Sequence, residues 1–237
     1  MRSAGRRDEI LSHAALLFST RGVGGTTVRD IADAVGLHSG SLYHHFGSKD
    51  ELVAEILVAF LDDLMNSYSS EIRWQADGHD QLDDLVHVSL RVAVRHPHAS
   101  EIHTREFANL SSQPGFAQID ARTREVEDVW ARIIDRGVAD GGFRADLPPE
   151  RLRQLLREIV WTAARRHRDT VDTDHAVTAR ILVALLVDGI TARPGASPVP
   201  APAPTGGGPV AAVELEHLRV EILALRGEVD ELRRASV

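Results

Sequence analysis

Residues 26–52 read TTVRDIADAVGLHSGSLYHHFGSKDEL, two short helical patterns on either side of a tight turn. Thr27-Val28-Arg29-Asp30 opens the first as a capping box, with Asp in place of the usual Glu. Ile31, Ala32 and Val35 then place one apolar stripe on its inner face. Gly36 supplies the turn, where a residue with a Cβ would be strained. Leu42 and Phe46, four apart, predict a second helix over 39–46 that turns both inward. Ser39, Gly40, Ser41, Tyr43 and His44 are left facing outward. This is the layout of a helix-turn-helix, whose second helix enters the DNA major groove by its N-terminal residues. Small side chains allow that helix end close to base edges, and the hydroxyls of Ser39 and Ser41 suit bases or phosphates. Ser48-Lys49-Asp50-Glu51 repeats the capping pattern, so Lys49 falls in the first turn of the next helix. There its charge adds to the helix dipole in favouring a phosphate.

The same stretch resembles the DNA-binding segment of TetR-type one-component transcriptional repressors. The resemblance implies that Tyr43, His44 and Lys49 contact phosphate. Thr27 and Arg29, at the start of the first of the two helices, complete the candidate DNA-contacting set. A small helical bundle with a surface Tyr-His pair is the bland alternative, and the length of contiguous motif weighs against it.

At 237 residues the chain is long enough for a substantial core in one large or two smaller domains. No run approaches the length of a membrane span, and the N-terminus lacks the apolar core of a signal peptide. With no cysteine, disulfides and thiolate metal sites are excluded, and a cytoplasmic protein is expected. The net charge of −8 sits oddly with a DNA binder until its distribution is considered. Arg2, Arg6 and Arg7 precede the first helix, and Arg29 and Lys49 flank the reading element, whereas Asp62-Asp63 and Asp83-Asp84 lie further on. An acidic body discourages non-specific binding while a basic edge keeps the phosphate contacts.

Periodicity predicts an all-α chain. Residues 1–7 form a basic arm, for a minor groove or disordered. A first helix over 8–20 follows, and the DNA-binding domain closes at 47. A helical ligand-binding and dimerisation domain covers 48–192. Its helices fall from 48 to past Leu64, then over 79–95, 100–110, 116–140 and 149–168. The last, over 174–191, carries ILVALLVDGI, apolar on more than one side, so a partner subunit is its natural cover. Residues 193–212 are a Pro/Ala/Gly linker with nothing to build a core, expected to be disordered.

The TetR resemblance covers about residues 7–192 and implies a body whose last two helices form a four-helix bundle with a second copy. Within it SSQPGF, VADGGFRADL and LREIVWTAARR resemble a subgroup of actinobacterial repressors of late steroid-ring degradation that respond to coenzyme A thioesters. That resemblance assigns contacts with the coenzyme A part to Arg157, Trp161 and Arg165. By spacing alone, Arg153, Arg157, Trp161 and Arg165 form one stripe on one helix face. Such a stripe suits phosphates and an adenine ring, and equally suits an exposed arginine face paired with neighbouring carboxylates. Arg166, His167 and Arg168-Asp169-Thr170 depart from the subgroup, which has aromatics and a Pro-Gly turn there, so the acyl group is the part in doubt.

Other classes fare worse. His96, His98 and His103 surround a helix break and His44-His45 are adjacent, yet no chelating pair at helical spacing has an acid in register, so no metal is expected. No phosphate loop follows a strand and no Gly-x-Ser-x-Gly elbow occurs, so neither an enzyme nor a cofactor is expected. A helical scaffold that does not bind DNA remains the third class. The expected function is a homodimeric repressor on a pseudo-palindromic double-stranded operator, released by a small-molecule effector. A coenzyme A thioester of a steroid or lipid catabolite is the first candidate, an unrelated hydrophobic molecule the alternative.

The tail, 213–237, repeats apolar residues at steps of three and four: Leu215, Leu218, Ile222, Leu225, Val229, Leu232. With Leu215 at a, the a positions are Leu, Ile and Val and the d positions all Leu, and β-branched residues at a with Leu at d favour a parallel two-stranded coil. Glu214, Glu221 and Glu228 at g face Arg219, Arg226 and Arg233 at e in that arrangement. Three heptads are marginal alone, so a single solvated helix, or one docked on the body, is the alternative.

Overall fold

The computed structural model describes residues 2–110, 116–166 and 173–191. Their regular elements are α1 (Arg2–Arg21), α2 (Val28–Ala34), α3 (Ser39–Leu42), α4 (Lys49–Glu71), α5 (Gly78–Arg95), α6 (Pro97–Leu110), α7 (Ala117–Ala139), α8 (Pro149–Arg166) and α9 (Thr173–Ile190). The linker at 193–212 and the coiled-coil helix at 213–237 lie outside the described residues. Among those described, no helix is long and apolar enough to cross a membrane.

The head is α1 to α3 closed by the first turns of α4. Ile10, Ala14 and Phe18 of α1 meet Ile31, Ala32, Leu42, Phe46, Leu52 and Val53, all buried. The capping box at α2 forms: Asp30 N–H donates to the Thr27 hydroxyl at 3.1 Å, and Thr27 N–H donates to the Asp30 carboxylate at 2.8 Å. Gly36, at φ +66°, takes the left-handed turn that favours glycine.

Three local expectations change. Where a basic arm is expected over 1–7, α1 already runs from Arg2. Arg6 donates to the Val35 carbonyl at 2.7 Å, and Arg7 lies 4.0 Å above the Phe46 ring while pairing with Glu55 and donating to the His45 carbonyl. Open carbonyls just past α2 and α3 thus find guanidinium partners, which pulls this segment onto the head. The second motif helix ends at Leu42 rather than 46. Tyr43 to His45 tighten into three-residue turns, with His44 N–H on Ser41 O at 3.3 Å and His45 N–H on Leu42 O at 2.9 Å. At α4, Ser48 accepts from Glu51 N–H at 3.1 Å, but the Glu51 carboxylate takes Gly47 N–H at 2.7 Å, so the second box is not reciprocal.

In the body, α4 packs on α5 and α7, and α5 packs on α7, α8 and α9. A buried polar chain joins three of them. Ser89 donates to the Leu85 carbonyl at 2.6 Å, which leaves Tyr68 as donor to Ser89 at 2.7 Å, and the Trp130 indole donates to Tyr68 at 3.3 Å. Every member is satisfied, as burial demands. Burial pushes the Tyr68 phenol up to about 12, so it stays protonated.

The α7–α8 connection depends on a close approach. Gly141, at φ +75°, stops α7, and Phe143 folds back so that its N–H donates to Gly137 O at 2.8 Å. A Cβ on Gly137 would lie 2.2 Å from the Phe143 ring. Arg144 N–H then ties the loop to Ile190 O at 2.8 Å. Helix α9 buries Leu186 and Ile190 but leaves Val177, Ile181 and Leu185 exposed at four-residue steps; on α8, Leu155 and Ile159 are exposed as well.

Gly137→Ala should therefore destabilise the fold. Displacing Phe143 costs about 2–3 kcal/mol of lost burial, against about 1 kcal/mol gained from helix propensity. Thermal unfolding should show a net loss of about 1–2 kcal/mol, while Gly24→Ala, where nothing lies within 4 Å, stays within about 0.5 kcal/mol of wild type.

Candidate DNA-reading head and body cavity

The outward face of α3 begins at His38, whose extended backbone caps the helix without a side-chain bond. Ser39 and Ser41 are half-buried and Gly40 is exposed with open space beyond it. Tyr43 is 53% exposed, and His44 and Arg29 are exposed, Arg29 loosely paired with Asp33 at 3.7 Å. Thr27 is exposed but its hydroxyl is taken up with Asp30, whose carboxyl is held below its ordinary range by those Thr27 bonds. These residues lie on or beside α2 and α3, as the motif requires.

Lys49 does more than its position in the sequence suggests. Its ammonium donates to the carbonyls of Val23 (2.8 Å) and Thr26 (3.2 Å), so it braces the loop before α2 against the start of α4. An ammonium has three N–H donors, so one is left over from these two bonds.

A cavity of about 580 Å³ lies between α4, α6, α7 and α8. Leu64, His103, Thr123, Glu127, Arg157 and Trp161 are on its wall. Trp161 packs edge-on against Phe60 at 5.9 Å between ring centres, and Phe60 also meets His103 at 6.0 Å. His103 Nε2 is 3.0 Å from the Thr123 hydroxyl. Burial, and secondly the charge of Arg157, push His103 down to about 4, so it is neutral at physiological pH.

The predicted arginine stripe divides. Arg157 and Trp161 face the same cavity, but Arg157 is paired with Glu127 at 2.7 Å and Arg153 with Asp135 at 2.5 Å. At Arg157 the carboxylate-paired description is the one observed, on the wall of the cavity. The side chain of Arg165 lies outside the described residues.

The histidines near the helix break have separate partners: His96 meets Asp63 at 2.9 Å, and His98 Nδ1 meets the Ser19 hydroxyl at 2.9 Å. Among the described residues no group of three His, Asp or Glu side chains could hold a metal. The Ser19–His98 contact joins α1 to α6, and Arg105 adds a bond to Ser19 O at 3.3 Å. Nothing in the local sequence signals this joint, because its partners are 79 and 86 residues apart.

A helix-turn-helix head carried on a helical body defines a DNA-binding class of regulator. "Bacterial regulatory proteins, tetR family" matches residues 10–56, and "Tetracyclin repressor-like, C-terminal domain" matches residues 75–163. The HTH-type transcriptional repressor KstR2 of Rhodococcus jostii is 39% identical over 191 residues, 79% of this chain and 92% of that protein. The repressor of the same name from Mycolicibacterium smegmatis is 37% identical, covering 81% and 94%. The solved structure of the ketosteroid transcriptional regulator KstR2 of Mycobacterium tuberculosis matches with a TM-score of 0.73 at 35% identity, over 79% of this chain and 96% of that one. This chain belongs to the TetR family: it is a DNA-binding transcriptional repressor, not an enzyme.

His103 gives a test of the cavity's electrostatics. An unfolded chain takes up a proton near 6.5 and the folded one only near 4, so stability is lost as pH falls through that window. His103→Gln should flatten the pH dependence of the unfolding midpoint between about 6.5 and about 4. Superimposable profiles would show that His103 titrates normally.

Proposed function

We propose that the chain is a homodimeric repressor of lipid or steroid catabolism, released from a pseudo-palindromic operator by a coenzyme A thioester in the cavity. The observation that carries the effector reading is the meeting of Arg157 and Trp161 on the wall of one large cavity. Its volume falls within the range of about 300–1,000 Å³ usual for ligand sites. The acyl part occupies the apolar interior beside Leu61, Leu64 and Val126, Arg157 faces phosphate, and the Trp161 indole supplies a stacking surface. Arg165, one further turn along α8, is assigned the same role. The relative from Mycobacterium tuberculosis named as a ketosteroid transcriptional regulator supports the steroid or lipid class.

A second reading keeps the cavity but fills it with an uncharged hydrophobic molecule. The pairing of Arg157 with Glu127 and of Arg153 with Asp135 favours it. Thermal-shift titration separates the two: coenzyme A thioesters raise the melting temperature on the first reading, and only uncharged ligands do so on the second.

On DNA, Ser39, Gly40 and Ser41 approach base edges, while Thr27, Arg29, Tyr43, His44 and Lys49 hold phosphates. Recognition helices of a dimer enter successive major grooves about 34–36 Å apart. Effector binding shifts the population toward a conformation with the two heads out of register. Lys49→Ala should lower the salt slope of operator binding by roughly one per half-site. Ser41→Ala should alter base preference with the slope retained. An unchanged slope in Lys49→Ala would leave Lys49 as a structural brace alone.

The dimer is proposed from the exposed apolar residues of α8 and α9, among them Leu185 at 67% exposure. Burying such side chains against a second copy contributes about 1.5–3 kcal/mol each. The domain division at 47, the linker at 193–212 and the parallel coil at 213–237 complete the proposed organisation, the coil reinforcing the same dimer. A flexible linker of this length spans on the order of 25 Å and gives a millimolar effective concentration. Leu185→Asp should convert the dimer to monomer in sedimentation and lose operator binding. Removal of 213–237 should only raise the dimer dissociation constant. Efficient cross-linking of Ile222→Cys to its own counterpart is expected for the parallel coil, and pairing of the first heptad with the last would reverse the orientation.

A further inference from the structure

The recognition element is short, and few of its own side chains hold it to the head. Between His38 and Gly47 only Leu42 and Phe46 are buried. Two apolar anchors fix how deep α3 sits, but not its swing about the line that joins them. Such a swing displaces His38 to Ser41, the end aimed at the bases, more than it displaces the anchors.

Arg7 supplies the missing constraint from α1. Its guanidinium forks onto the Glu55 carboxylate of α4, Nε to Oε1 at 3.1 Å and Nη2 to Oε2. Nη1 donates to the carbonyl of His45, in the tight turns that follow α3. The guanidinium carbon lies over the Phe46 ring, 4.0 Å from its centre, and Glu51 adds a second carboxylate at 3.8 Å. The fork, the carbonyl and the ring together fix the guanidinium in three directions. Arg6, its neighbour, donates to the Val35 carbonyl where α2 ends, so adjacent arginines hold the ends of both motif helices. With side chains 37% and 35% exposed, the Arg7–Glu55 pair contributes little stability. What it contributes is orientation.

We propose that Arg7 is a positioning residue for DNA reading, with Glu55 as its orienting partner: together they set the angle at which α3 meets the bases. The proposal rests on the reading of α3 as the base-contacting helix. A lysine keeps the charge but lacks the planar fork. Arg7→Lys therefore retains the sequence-independent attraction to phosphate while releasing the swing of α3.

The test uses the full chain, well below the melting temperature of each variant, and two duplexes. One is the site that the wild type selects from a randomised library, the other a scrambled duplex of the same length and composition. Arg7→Lys and Glu55→Gln should each lower the ratio of selected-site to scrambled affinity roughly tenfold, the scale of one mismatched base pair. The salt slope should keep its wild-type value in Arg7→Lys, and the double variant should lose no more than either single one. A purely structural role would lower the DNA-binding fraction equally on both duplexes and leave the ratio intact, which would overturn the proposal. A direct phosphate contact would overturn it too: Arg7→Gln would then cut the salt slope by roughly one per half-site, and Glu55→Gln would tighten binding to both duplexes alike. Repeating the selection with Ser41→Ala separates the proposal from the reading it rests on. If Ser41→Ala changes the bases selected and Arg7→Lys does not, the positioning role falls and the α3 reading stands. If neither changes them, both fall.

Discussion

Helix α4 carries part of the head's core and one wall of the large cavity on the same unbroken backbone. Its 23 residues span about 34 Å. Leu52 and Val53 close the head, Leu61 and Leu64 line the cavity, and Tyr68 anchors the far end in the chain with Ser89 and Trp130. Because that anchor is fully hydrogen-bonded and buried, the distal end of α4 is expensive to move. The head and the cavity wall therefore share one continuous helix. At the other end Lys49 ties the first turn of α4 to the loop before α2.

The joints between head and body differ in kind from the cores they connect. Ser19 with His98, Arg105 with Ser19 O, and Arg7 with Glu55 are polar contacts in partly solvated surroundings. Each contributes little net stability, because water competes for the same groups. Rigid packed cores joined by weak polar contacts are the arrangement from which small rotations arise at low energetic cost. Arg157 and Glu127 repeat the pattern on the cavity wall: a partly exposed pair that contributes little net stability.

Much of this architecture was legible in the linear pattern. The amphipathic period and the capping residues are local, so helices expected over 79–95, 116–140 and 174–191 differ by at most one residue at each end from α5, α7 and α9. The motif over 26–52 was legible for the same reason, since Thr27 with Asp30 and Leu42 with Phe46 interact within one or two turns. Gly141 stops α7 by a left-handed conformation, which is a property of one position.

Only the tertiary structure decided the features whose partners are far apart in the chain. Arg6 and Arg7 look like a free basic arm until Val35 and Glu55, 29 and 48 residues on, take them up. Lys49 is a phosphate candidate by its place in a helix, and a loop brace by its bonds to Val23 and Thr26. Gly137 shows the same at short range, an ordinary helical glycine until Phe143 folds back over it beyond the end of α7. The arginine stripe of α8 follows from four-residue spacing, but whether a guanidinium stands alone or beside a carboxylate depends on which face α7 turns toward it. Local spacing sets which way a side chain points along its own helix, and long-range packing sets what it meets there.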